Sequence, residues 1–213
     1  MLNLTELEKR LQSVEDILAI DRLQKIYGYY LDYGQYKKVI DLFSDNAESM
    51  EIAEHGVFKG KEGVRRFFRE YMGHGIEGDE ASIPPGKLHF HMMHEGVVTV
   101  NPDGKTAKGR WYISMMNILT EKEGGSVKSL IGHGVYENDF IKEDGVWKFK
   151  KMLMCIHYRS PISGGWAETP MVSGVKGAPG ADAPPTAHHP YPNLQMLPYH
   201  FEHPVRQASK SGM

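Results

Sequence analysis

The chain has 213 residues, 25 basic against 27 acidic, and 40% hydrophobic content. That describes one globular domain of ordinary size with an appendage and excludes wholesale disorder. A net charge of −2 leaves no electrostatic footprint for nucleic acid or an anionic membrane. The single cysteine, Cys155, excludes an intramolecular disulfide and zinc sites built on several thiolates. The amino-terminal stretch is charged every few residues and has no apolar signal-type segment, so a cytoplasmic setting is expected.

Leu4, Leu7, Leu11, Val14, Ile17, Leu18, Ile20 and Leu23 recur at three and four, the period of an amphipathic helix. Thr5 and Glu8 have the spacing of a capping box. The pattern predicts a helix over 4–12 and another over 14–33, closed by Gly34, then a short helix over 36–43. A hairpin is expected at 48–52 and 56–59, and a helix over 64–71 with Val64, Phe67, Phe68 and Tyr71 on one face. The glycine- and proline-rich segment 73–86 reads as a loop.

Beyond it the period changes to two. Strands are predicted at 88–100, 106–119, 126–141 and 146–158, separated by Asn101-Pro-Asp-Gly104, residues 121–125 and Lys142-Glu-Asp-Gly145. Four strands in hairpin succession make an antiparallel meander. Helices followed by a curved antiparallel sheet define an α+β fold in which the helices help enclose a cone-shaped cavity. From Pro161 the composition shifts, with nine of the twelve prolines in the last 53 residues. The domain is therefore expected to span 1–160, with a Pro/Gly-rich aromatic extension over 161–213. The aromatics of 188–204 imply that this extension packs on a surface, its own or a neighbouring subunit's.

Three pieces of sequence carry a resemblance: Tyr27-Gly-Tyr-Tyr-Leu-Asp32-Tyr-Gly34 with Val39-Ile-Asp-Leu-Phe43, His89-Phe-His-Met-Met-His94, and the pairing of Gly109-Arg-Trp-Tyr112 with Gly134–Asp139 and Asp144-Gly-Val-Trp147. Over residues 4–158 the chain resembles the SnoaL-like branch of the nuclear transport factor 2-like superfamily. That superfamily includes cyclases, isomerases, lyases and plain binding modules. Within it, the chain is similar to cofactor-free bile acid 7α-dehydratases and scytalone dehydratases, which implies catalytic roles for Asp32 and His91, and by the bile acid type for Tyr27. It also resembles sphingomonad lyases that remove formaldehyde from lignin-derived diaryl propanediols, which have a similar aromatic carboxy-terminal extension. The second Asp of the bile acid type is replaced by Met115 or thereabouts, and the second His of the scytalone type by Arg110 or Trp111. The late Arg of the bile acid type falls near Ile156, with Arg159 able to replace it after a small shift.

Asp32 close to an apolar interior would serve as a base or as the partner that orients a histidine. His89, His91 and Met93 share one strand face and Phe90, Met92 and His94 the other. A bulge at Glu95-Gly96 prevents counting from fixing which face is inside, and the resemblance selects His91. His89, His91 and His94 could chelate a metal, but no acidic residue stands at a supporting spacing, so neither metal nor other cofactor is expected. Trp111, Tyr112, Met115, His133 and His157 are the expected substrate-binding residues, and His133 could stand in for the missing second histidine or Asp. The reading is a cofactor-independent lyase on a hydrophobic aromatic substrate, with a dehydratase and a non-catalytic binding module as the alternatives. A small homo-oligomer, trimeric by the resemblance, is the expected assembly.

Overall fold

A computed structural model describes residues 3–73, 83, 87–120, 127–168 and 177–205. The expected turn at 121–125 lies outside these residues, as do most of the 73–86 loop and part of the linker after 168. The elements are α1 (Leu4–Asp32), α2 (Tyr36–Asp41), β1 (Ser49–Ile52), β2 (Val57–Lys59), α3 (Gly60–Arg65), β3 (His89–Val100), β4 (Thr106–Thr120), β5 (Val127–Glu143), β6 (Val146–Pro161) and α4 (Gly165–Glu168). A π-helical stretch, Arg66–Met72, continues α3.

The two amino-terminal helices read from the sequence are one rod of 29 residues. Gln12 and Ser13 carry nothing that breaks a helix, and Asn3, not Thr5, caps it by accepting the Glu6 N–H at 2.8 Å. At the other end Gly34 takes a φ of 69° and its N–H bonds the Leu31 carbonyl at 3.0 Å, reversing the chain immediately after Asp32.

The sheet order is β2-β1-β6-β5-β4-β3. The four long strands form the expected antiparallel meander, while β1 joins β6 in parallel, from Ser49↔Lys151 to Ile52↔Met154. The sheet is therefore mixed, because the chain returns from α2 to lie beside β6 before the meander begins. The bulge falls where it was expected: His94 pairs with Tyr112 and Val97 with Arg110, so Glu95 and Gly96 together face Trp111. Glu95 adopts a φ of 46°.

Register fixes the faces. His89↔Asn117, His91↔Met115, Ile113↔Gly134 and Trp111↔Tyr136 point toward α1. The core there is an aromatic cluster in which Tyr27 meets Phe68, Tyr136 and Phe149 edge-on at 6.4, 5.8 and 5.6 Å. Each such ring, fully buried, contributes roughly 1.5–3 kcal/mol.

The opposite face carries the extension. Glu51 accepts from Thr186 N, Thr186 Oγ1 and Ala187 N at 2.6, 2.7 and 3.0 Å. Tyr191 N–H bonds the His157 carbonyl at 2.7 Å, and Arg110 Nη2 donates to the carbonyls of Leu197 and Pro198 at 3.1 and 2.7 Å. The aromatic tail thus lies along this chain's own sheet.

Candidate active site

Strand β3 is at the edge of the sheet, so alternate backbone N–H groups face away from β4 and need another partner. Asp32, on the last turn of α1, supplies it. Its Oδ1 accepts the His91 backbone N–H at 2.9 Å and lies 3.1 Å from His91 Nδ1. One carboxylate oxygen therefore fixes both the strand and the imidazole. With Nδ1–H directed at the carboxylate, Nε2 is the nitrogen left for proton transfer. His91 is 8% exposed, so little water competes for either group.

His89 stands two residues away on the same face, its ring centroid 4.3 Å from that of His91. Burial first, and then the neighbouring His91, push its pKa down to about 3, while a hydrogen bond to the Leu31 carbonyl opposes the shift. It is a neutral imidazole at any ordinary pH. The Tyr136 hydroxyl donates to the Tyr27 hydroxyl at 3.3 Å. Burial, opposed by that bond and reinforced by the Asp32 charge, holds the Tyr27 phenol far above its ordinary pKa, so it remains a donor.

Two spaces flank the pair. Inside the cone a cavity of about 50 Å³ is bounded by Tyr27, His89, His91, Met115, Asn117 and Tyr136, with Met72, Met154 and Arg159 farther round. Outside, between α1 and β3, Lys25, Gly28, Tyr29, Phe90, Met92 and Met93 form with Asp32 and His91 an open groove of about 500 Å³. The groove is the larger, but the polar groups able to do chemistry converge on the cavity. One buried oxygen of its lining, Asn117 Oδ1, has no hydrogen-bond partner among the described residues.

Of the residues expected from the sequence, Asp32, His91, Tyr27 and Met115 are brought together. Trp111 is not on the cavity. Its indole is buried in the core and donates to Asp21 Oδ1 at 3.2 Å. It lies so close over two glycines that a Cβ on Gly96 would fall 2.1 Å from Nε1 and one on Gly109 2.3 Å from Cη2. Gly109→Ala is accordingly expected to cost about 2–3 kcal/mol, read by urea unfolding, with wild-type stability counting against this packing role.

Tyr112, His133 and His157 are on the other side of the sheet. Ser114↔His133 and Tyr112↔Val135 are outward pairs, and a register slip in β6 brings His157 Nδ1 to 3.0 Å from His133 Nδ1 beneath the extension. His133 therefore does not replace the missing histidine. The imidazole beside His91 on the cavity is that of His89, from the same strand. It was visible in the sequence as a same-face neighbour, whereas Tyr136 and Asn117 carried no local signal.

The fold also brings together what spacing alone had set aside. Ligand atoms of Asp32, His89 and His91 lie within 4.8 Å of one another, the carboxylate arriving from a different element. Hydrogen bonds within the protein account for this arrangement, because Asp32 Oδ1 serves two His91 nitrogens and His89 bonds the Leu31 carbonyl. Among the described residues no helix is long and apolar enough to cross a membrane.

A helix-backed curved sheet enclosing a His–Asp pair defines a class, and the sequence agrees: the SnoaL-like domain profile matches residues 12–152. The chain belongs to that family, within the nuclear transport factor 2-like superfamily. It is similar to the crystal structure of a type 2 hexachlorocyclohexane dehydrochlorinase, LinA, at 22% identity and a TM-score of 0.58, covering 73% of this chain and 95% of the other. It is likewise similar to the type 3 enzyme from Novosphingobium barchaimii LL02, at 18% identity and 0.57 over 73% and 96%. A candidate scytalone dehydratase from Novosphingobium aromaticivorans DSM 12444 aligns at 18% identity and 0.55 over 70% and 89%.

Proposed function

We propose that the chain is a cofactor-independent lyase that cleaves a carbon–carbon bond in a hydrophobic, lignin-derived diaryl propanediol, releasing formaldehyde and leaving a stilbene. The observation that carries this reading is His91, oriented by Asp32, at the wall of an enclosed cavity. His91 Nε2 takes the proton of the terminal hydroxymethyl O–H. The bond from that carbon to the chain breaks, formaldehyde departs, and the released electron pair forms the new C=C as the benzylic hydroxyl leaves. The imidazolium returns its proton to that hydroxyl, so the products are stilbene, formaldehyde and water, with no redox change. Asp32 stabilises the imidazolium between the two transfers, and neutral Tyr27 and Tyr136 supply hydroxyl dipoles in a site of low dielectric.

The unpartnered acceptor Asn117 Oδ1 supports a substrate that brings hydroxyl donors, since a buried acceptor left unpaired is costly. A diaryl skeleton exceeds the free volume of the cavity, so binding requires the cone to widen. Met72, Met115 and Met154 are the flexible wall side chains suited to that.

The second reading is a dehydratase eliminating water from a hydroxylated polycyclic substrate. It is favoured by His89, which gives the cavity the second imidazole that the aligned strand lacks. Incubation with 1,2-diaryl-1,3-propanediols separates the two: formaldehyde and stilbene in equal amounts support the lyase, and water loss alone supports the dehydratase. Turnover is expected to survive dialysis against EDTA. Loss that a divalent cation restores would make Asp32, His89 and His91 metal ligands instead.

A further inference from the structure

The first half of α1 has an apolar face that stays exposed among the described residues. Leu4, Leu7, Leu11, Val14 and Leu18 are 72, 54, 57, 53 and 62% exposed. At about 100° per residue these five side chains form one stripe, and Asp16, Ile20, Leu23, Tyr27 and Leu31, which α1 buries against the body, form another about 180° away. The exposed stripe is therefore not a frayed continuation of the core face. It points outward from an arm whose first turn is capped by Asn3.

The spacing is three, four, three, four, the a/d seam of a coiled coil. With Leu4, Leu11 and Leu18 at a and Leu7 and Val14 at d, Glu8 and Glu15 occupy e and Arg10 occupies g. In a parallel pair g faces the e position five residues on, which sets Arg10 against Glu15 of the partner subunit. An antiparallel pair would set Glu8 against Glu15 of the partner subunit, two like charges. We propose that this amino-terminal arm is an interface between copies of this chain, with arms aligned in parallel through the stripe from Leu4 to Leu18 and the Arg10–Glu15 charges fixing the register. In a trimer three such arms close a single seam.

Light scattering after size-exclusion chromatography of the full chain is expected to give a multiple of 24.1 kDa. The double variant L11E/V14E is expected to run at the monomer mass with unchanged helical circular dichroism, since both side chains are already exposed. Arg10→Glu and Glu15→Arg should each weaken assembly, because each sets like charges against one another across the seam. An equimolar mixture of the two variants should restore it, because every contact between unlike arms then joins an acid to a base, in the native sense on one side and with the charges exchanged on the other. A monomeric wild type, an L11E/V14E variant of wild-type mass, or a mixture no better associated than its components would each overturn the proposal.

Discussion

His91→Ala is expected to lower kcat on a diaryl propanediol by roughly 10³-fold while leaving the affinity for an unreactive analogue within a few-fold of wild type. The variant should fold, because the backbone N–H that holds β3 to α1 through Asp32 does not depend on the side chain. What is lost is the group whose second nitrogen is left for proton transfer once Nδ1 is held by the carboxylate.

Asp32→Ala should cost about as much, by a different route. It removes the charge opposite the imidazolium and the anchor of the edge strand together, so a stability loss accompanies the loss of rate. Single-turnover kinetics with ligand affinity measured in parallel is the required comparison. Full activity in His91→Ala would remove the imidazole from the mechanism, and ligand binding without turnover by the wild type would leave the cavity as a binding site only.

The meander could be read from the sequence because all three of its connecting stretches carry glycine with turn-forming neighbours. Gly104 and Gly145 sit at φ of 62° and 80°, and the strand limits on either side came within two or three residues of those observed. Asp32 and His91 could be paired only through family resemblance. Nothing in the local pattern says that a helix end and an edge strand 59 residues apart share a hydrogen bond.

Period-two alternation sorts side chains into two sets without saying which set is inside. On β4 it already put Tyr112 in the opposite set from Trp111 and Met115, and the hairpin register shows that set, with His133 across from it on β5, to be the outward one. His157 was further obscured by the β6 slip, which breaks the alternation at that residue. The apolar residues of α1 misled in a related way. Two stripes on opposite faces of one helix, merged in a list of positions, look like a single amphipathic pattern.

Acidification from pH 6.5 toward pH 4 is expected to destabilise the fold well before its carboxylates titrate. His89 has a folded pKa of about 3 and His157 one of about 4, burial being the first cause in each, against 6.5 for a free imidazole. Burial pushes His55 and His133 in the same direction. Between the unfolded and folded values the unfolded chain binds protons that the native site refuses. The stabilisation is thus complete above pH 6.5 and declines as the pH falls.

For His89 alone the slope is about 1.4 kcal/mol per pH unit, and His157, partly reached by water, adds less. Asp16, whose burial is outweighed by its bonds to Lys142 and Trp147, acts with the same sign at still lower pH. Urea unfolding at pH 7 and pH 5 measures the effect, and His89→Gln should flatten the dependence by about one proton. An unchanged slope in that variant would mean that His89 takes up a proton without leaving its place beside His91, and would undo its assignment as the neutral imidazole of the cavity.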